Sequence, residues 1–110
     1  MAKNRYPKRI KKILDHLRQH KPERIYLFGS WARGEEDDLS DVDIVVCMES
    51  DDSFLDRTRN LMRTLPDDAG SIDLLVYTPE ELHQMQIDGN AFIEMILEEG
   101  SLVYGRDQKE

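Results

Sequence analysis

Residues 24–46 read RIYLFGSWARGEEDDLSDVDIVV, and the fold turns on how this stretch is parsed. Arg24–Phe28 is a short β-branched and aromatic run stopped by Gly29, which predicts a strand. Residues 30–34 read as a brief helical turn and residues 35–40 as an acidic loop. Val42–Met48 (VDIVVCM) predicts a second strand. A Gly29-Ser30 pair between a strand and a helix start lets backbone come close to a phosphate. The helix N-terminus then offers unpaired N–H groups and positive potential. Ser30 adds a hydroxyl donor, and Arg33, one turn on, a guanidinium suited to phosphate oxygens.

Asp41 and Asp43 sit at the mouth of the second strand. Alternation places them on one face, with Cα atoms roughly 6.5–7 Å apart, while Val42 and Ile44 turn into the core. Two carboxylates this close repel each other, and a divalent cation relieves that. Mg²⁺ favours such oxygen ligands together with phosphate. Asp73 stands inside another apolar run, Ile72–Tyr77 (IDLLVY). An aspartate in a strand interior runs against β propensity, and a third metal ligand on a neighbouring strand would account for it. Taken singly, each feature has an ordinary explanation: a turn, a loop-end Asp-x-Asp, a solvent-facing aspartate. The combination is more specific. A phosphate-binding P-loop is excluded because Glu35 stands where its lysine is required, and a calcium loop because Val45 and Val46 replace its later ligands.

Outward from this centre, Ile10, Ile13, Leu14 and Leu17 mark an amphipathic first helix over about 5–20, ended by Pro22. Phe54–Leu65 has helical period, with Phe54, Leu55, Leu61, Met62 and Leu65 apolar. Pro66–Gly70 breaks the chain. Thr78-Pro79-Glu80-Glu81 starts a helix with a capping box, which runs to about Ile87. Asp88-Gly89-Asn90 interrupts it, and Ala91–Glu98 resumes with Phe92, Ile93, Ile96 and Leu97 as its apolar face. Gly100 closes that helix, and Ser101–Tyr104 is a candidate edge strand. The order α-β-(α)-β-α-β-α-α-β predicts an α/β (α+β) domain spanning 1–110.

Hydrophobic residues form 39% of the 110 and charged residues 35%, enough apolar material for one modest core. No apolar run approaches the roughly 18 residues that span a bilayer, and the N-terminus has no secretory pattern. Cys47 is the single cysteine, so no intrachain disulfide forms. A cytoplasmic protein with no membrane association is expected. The net charge of −8 is uneven: residues 1–24 hold nine Lys/Arg against Asp15 and Glu23. That segment reads as a solvated helix face, with contact to one strand or an acidic partner as the alternative. An acidic whole argues against stable nucleic-acid binding. Phe28 and Trp31 read as packing for the turn, with base stacking as the alternative. His16 and His20, four apart, have the spacing of metal ligands but no acidic or sulfur partner in the pattern, so they read as surface residues, as does His83.

The string Gly29-Ser30, ten residues, then Asp41-Val42-Asp43 resembles the signature of the DNA polymerase β-like nucleotidyltransferase superfamily. The fuller stretch 29–46 is similar to the minimal nucleotidyltransferases, the MNT-type antitoxins paired with HEPN ribonuclease toxins. The resemblance is close over residues 25–77 and extends to the rest in pattern only. It implies a small mixed sheet with helices packed on one face. It also implies that Asp41, Asp43 and Asp73 are catalytic ligands of two Mg²⁺ ions, and that Gly29 and Ser30, with Arg33 beside them, hold the triphosphate of ATP. Relatives that modify small molecules or extend RNA carry a second domain for the acceptor. The expectation here is therefore transfer of AMP to a hydroxyl of a partner protein, such as a HEPN toxin, within a homo- or hetero-oligomer. A non-catalytic stoichiometric antitoxin and an antibiotic-modifying nucleotidyltransferase are the alternatives.

Overall fold

A computed structural model describes residues 8–29 and 41–105. Helix α1 (Lys8–Arg18) buries Ile10, Ile13, Leu14 and Leu17. Its last turn tightens through His20 N–H to Leu17 O and Lys21 N–H to Arg18 O. Lys21, at φ 56°, then turns the chain before Pro22. Strands β1 (Arg24–Phe28) and β2 (Val42–Cys47) follow. Helix α2 (Phe54–Met62) starts at Ser53, whose hydroxyl accepts from Asp56 N–H. A 3-10 turn at Asp67–Ala69 leads into β3 (Ile72–Tyr77). Helices α3 (Pro79–Ile87) and α4 (Ala91–Glu99) precede β4 (Ser101–Gly105).

The four strands order as β3-β2-β1-β4. β1 runs antiparallel to β2 and β4, and β2 runs parallel to β3, so the sheet is mixed. Alternation divides its faces. Ile25, Leu27, Val42, Ile44, Val46, Leu74 and Val76 face the main core with the α1 leucines and isoleucines and with Leu61 of α2. Tyr26, Val45, Leu75 and Tyr77 belong to the opposite face, where Ile96, Phe92 and Met95 of α4 cover them. The expectation of helices on one face therefore describes α1 and α2. The α4 stripe is apolar because it covers the other side of the sheet.

Several boundaries shift for physical reasons. Helix α2 stops at Met62, and Thr64 and Leu65 close it with short N–H bonds to Leu61 O and Met62 O. Of the apolar positions in its period, Leu55 is 66% exposed and Met62 38%. The capping box at Thr78 and Glu81 forms as expected: Glu81 N–H donates to Thr78 Oγ1 (3.2 Å), and Thr78 N–H donates to Glu81 Oε1 (3.0 Å). Gly100 is extended rather than left-handed. It is glycine for lack of room, since a Cβ there would lie 2.6 Å from Ile96 O.

Candidate functional site

Strand β1 ends at Phe28, and the register pairs Phe28 with Asp43 across the antiparallel ladder. On the other side of β2, Asp43 pairs with Asp73 across the parallel ladder. Register partners share a sheet face and lie one inter-strand spacing apart, about 4.7–4.9 Å. Two acidic residues thus face each other across adjacent strands, on one face. Asp41 precedes β2 by one residue, just before the ladder begins with Val42 N–H to Ser71 O (3.0 Å). Asp41 and Asp73 are exposed, and Asp43 is half-buried. The apolar alternates, Val42 and Ile44, are almost wholly buried, which fixes the facing of the strand.

Gly29 comes next to these carboxylates. Its φ is +75°, a conformation that favours glycine. A Cβ at this position would overlap the Asp43 carboxylate oxygen and lie 3.3 Å from Asp43 Cγ. Glycine here therefore does two things: it permits the turn, and it leaves the Asp43 carboxylate its place. Ser30 and Arg33, expected to hold phosphate, lie outside the described residues, as does Trp31.

The backbone brings Asp43 and Asp73 together, with Asp41 flanking them. The side chains do not close into a ligand set: among the described residues no group of three His, Cys, Asp or Glu is positioned to hold a metal ion. Mutual repulsion of like charges opposes such closure without a counter-charge. The donor chemistry nonetheless fits a hard cation, because all three groups offer carboxylate oxygen and Mg²⁺ is held through one or two carboxylates plus substrate phosphates. His16 in α1 and His20 just beyond it do not converge on a site. His16 Nδ1 contacts Lys12 O (2.9 Å), and His20 Nε2 contacts Thr64 Oγ1 (3.1 Å).

On the carboxylate face, Phe28 meets Phe92 of α4 edge-on, with ring centroids 5.7 Å apart. The aromatic residue beside the glycine turn is thus anchored to α4, in line with a packing role. At the other end of β3, a polar cluster went unread in the sequence. Arg57 of α2 is 7% exposed. Its Nε donates to Val76 O (3.1 Å), and its Nη2 donates to both Glu81 oxygens (2.6 and 2.8 Å). Burial alone would raise the Glu81 carboxyl. The Arg57 hydrogen bond and charge, with the Thr78 backbone, outweigh it and hold the group below its ordinary value. Burial, reinforced by the Glu81 charge, pushes the Tyr77 phenol up. The spacing of Phe54, Arg57 and Leu61 puts all three on one helical stripe, and that stripe was the available signal.

The profile of the polymerase β nucleotidyltransferase family matches residues 8–109. The chain belongs to that family. Members of the nucleotidyltransferase family are expected to share its fold, and two solved structures do. One is a candidate nucleotidyltransferase from Sulfolobus solfataricus, 21% identical, covering 94% of this chain and 93% of that one at a TM-score of 0.53. The other is a toxin–antitoxin structure determined with AMP-PNP, 23% identical, covering 89% of this chain and 74% of that one at a TM-score of 0.57. At these identities the likeness is one of fold. No curated protein sequence matches the chain significantly.

Proposed function

We propose that this nucleotidyltransferase moves AMP from ATP to a hydroxyl of a partner protein, as the antitoxin that silences a HEPN ribonuclease toxin. The observation that carries the reading is the pairing of Asp43 with Asp73 on adjacent strands, beside a glycine whose missing Cβ leaves room for the Asp43 carboxylate. Family membership supports nucleotide transfer. The AMP-PNP in a toxin–antitoxin structure of similar fold supports the adenine nucleotide and the toxin partner.

In this reading Asp41, Asp43 and Asp73 would hold the Mg²⁺ ions. Mg²⁺ would supply positive charge against the α-phosphate and the departing pyrophosphate. Gly29 admits the triphosphate, and Ser30 and Arg33 donate to its oxygens. Asp73 takes the proton of the acceptor hydroxyl as general base. The hydroxyl oxygen bonds to the α-phosphorus, the bond from that phosphorus to the bridging oxygen breaks, and pyrophosphate leaves with the electron pair.

The test is intact-mass spectrometry of the chain and the protein encoded beside it after incubation with ATP and Mg²⁺. One AMP or more on the neighbour, absent with Asp43→Ala, is the expected outcome. A competing reading, stoichiometric inhibition with no chemistry, draws on the failure of the three carboxylates to converge. In that case Asp43→Ala protects cells from the toxin as well as wild type does, and no adduct forms.

A further inference from the structure

We propose that the outer surface of α3 and α4 is the docking face for a protein partner that is basic around an aliphatic or aromatic anchor. Helix α3 has no buried side chain: Leu82 and Met85 are half-buried, and Ile87 is 64% exposed. Leu97 on α4 is 43% exposed, and Leu102 on β4 is 40% exposed. Leu102 pairs with Tyr26, which places it on the α4 side of the sheet. Between α3, α4 and β1 lies an open notch. Its rim includes Leu82, Gln86, Leu97 and Arg24, and its floor includes Tyr26 and Ile96. Such a notch takes one apolar side chain, the kind of anchor on which interface energy usually concentrates.

Charge selects the occupant. Arg24 places a cation at the notch rim. From Thr64 to Gly105, however, the sequence has no Lys or Arg, while Glu80, Asp88, Glu94, Glu98 and Glu99 lie on α3, α4 and the turn between them, all exposed. Glu81 is already paired with Arg57. A two-fold contact with a second copy would set this acidic patch against itself. A head-to-tail contact with the basic α1 would build a ring or a filament of copies rather than a two-fold dimer. Nucleic acid and anionic lipid are repelled by the same charges. A Lys/Arg-bearing protein surface is attracted, and the attraction also speeds its encounter.

The face is also well placed. Phe92, in the first turn of α4, packs on Phe28, the register partner of Asp43. Leu97 lies five residues further along, about 7.5 Å at the helical rise. Leu97 is thus toward the end of the helix away from the carboxylates, near Arg24, and a docked protein reaches them by extending along α4 past the Phe28–Phe92 contact. The inference deepens the reading above, in that the docked protein is the acceptor.

The experiment places a photo-crosslinking phenylalanine derivative at Leu97, at Ile87 or, as control, at Leu55 on α2, in the full chain in its native cells. The captured protein is identified, and its contact peptide is sequenced. Adducts at 97 and 87 but not 55, with a Lys/Arg-rich contact peptide, are expected. With the captured protein purified, Leu97→Glu should weaken binding by about tenfold or more, and added salt should weaken the wild-type complex. Asp43→Ala should leave binding unchanged. Absence of an adduct at 97, an adduct only to a second copy, an acidic contact peptide, or unchanged affinity of a folded Leu97→Glu variant each overturns the docking face. Failure of the captured protein to receive AMP overturns the proposed function instead and leaves the docking result standing.

Discussion

Two glycines in left-handed backbone allow the role of Gly29 to be separated from ordinary strain. Gly29 has φ +75° and Gly89 has φ +73°. A Cβ at Gly89 would meet nothing within 4 Å, whereas one at Gly29 would overlap the Asp43 carboxylate. Alanine at either site should cost the left-handed penalty of about 1–2 kcal/mol. For a domain of this size that lowers Tm by roughly 4–15 °C. The extra collision at Gly29 involves the end of a short side chain, which escapes by rotating about its χ angles. Gly29→Ala should thus unfold at nearly the same temperature as Gly89→Ala but with the Asp43 carboxylate displaced. The assay is thermal unfolding with and without Mg²⁺–ATP. Ligand at about 100 times its Kd stabilises by about 2.7 kcal/mol. If displacement of Asp43 weakens binding a hundredfold, the same concentration gives only about 0.4 kcal/mol. Gly89→Ala should keep the full response, and Gly29→Ala should lose most of it. An equal Mg²⁺–ATP response in the two variants would refute the assignment of Asp43 to the nucleotide site.

Asp41→Asn and Asp43→Asn should each remove most of the Mg²⁺–ATP stabilisation while circular dichroism and the ligand-free Tm stay near wild type; a full response in both would dismiss the carboxylate site. Arg57→Ala should lower stability to chemical denaturation by about 2–3 kcal/mol, under the ~3–5 kcal/mol typical of breaking a fully buried pair, because Glu81 is 44% exposed and can rehydrate. The Glu81 carboxyl is held below its ordinary value, so its contribution is present above about pH 4.3, the unfolded value, and is lost as pH falls through the lower folded value. The stability gap between wild type and Glu81→Gln should therefore narrow on acidification below that point, and a gap that widens there would contradict the Arg57–Glu81 pairing.

The strands were legible because their signals are local. Arg24–Phe28 and Ile72–Tyr77 begin and end where β-branched runs meet Gly29, Ser71 and Thr78. The start of α3 was legible for the same reason, with Thr78, Pro79 and Glu81 each satisfying a named end group. Strand order was not, because the pairing of β4 with β1 joins residues some 75 positions apart, and no local pattern encodes it. The apolar period over 54–65 promised a longer buried stripe than α2 presents. Only Leu61 and the unread Arg57 are buried there, since α2 crosses the edge strand β3, where half of its circumference faces water. Arg57 escaped notice because a charge in a helical stripe reads as solvated unless its partner is known, and Glu81 lies 24 residues away. Alternation put Asp41 and Asp43 on one face, and the unusual strand aspartate marked Asp73; the register pairing of Asp43 with Asp73 depends on strand pairing, which no local pattern encodes. Convergence of three side chains was not legible, since alternation fixes facing and says nothing of rotamers.

One face of the sheet has two opposite environments, and their boundary is set by a single aromatic contact. Val45 is fully buried and Tyr26 nearly so under Ile96. Two residues along the same face, Asp43 is half-buried and Asp73 is exposed. The change falls at the Phe28–Phe92 pair, beyond which α4 has ended at its Asn90 cap. A helix extended over this end of the face would bury carboxylates, and taking a carboxylate out of water costs several kcal/mol per ion. Asn90 instead satisfies the first turn by accepting from Ile93 N–H (3.1 Å), and Gly89 turns the chain away. The helix start, the aromatic pair and the glycine turn after β1 together keep the strand ends wet while the rest of the face stays dry. Under the proposed function that openness admits a charged triphosphate, whereas a purely structural sheet end would gain stability from an apolar residue at position 43 covered by a longer α4.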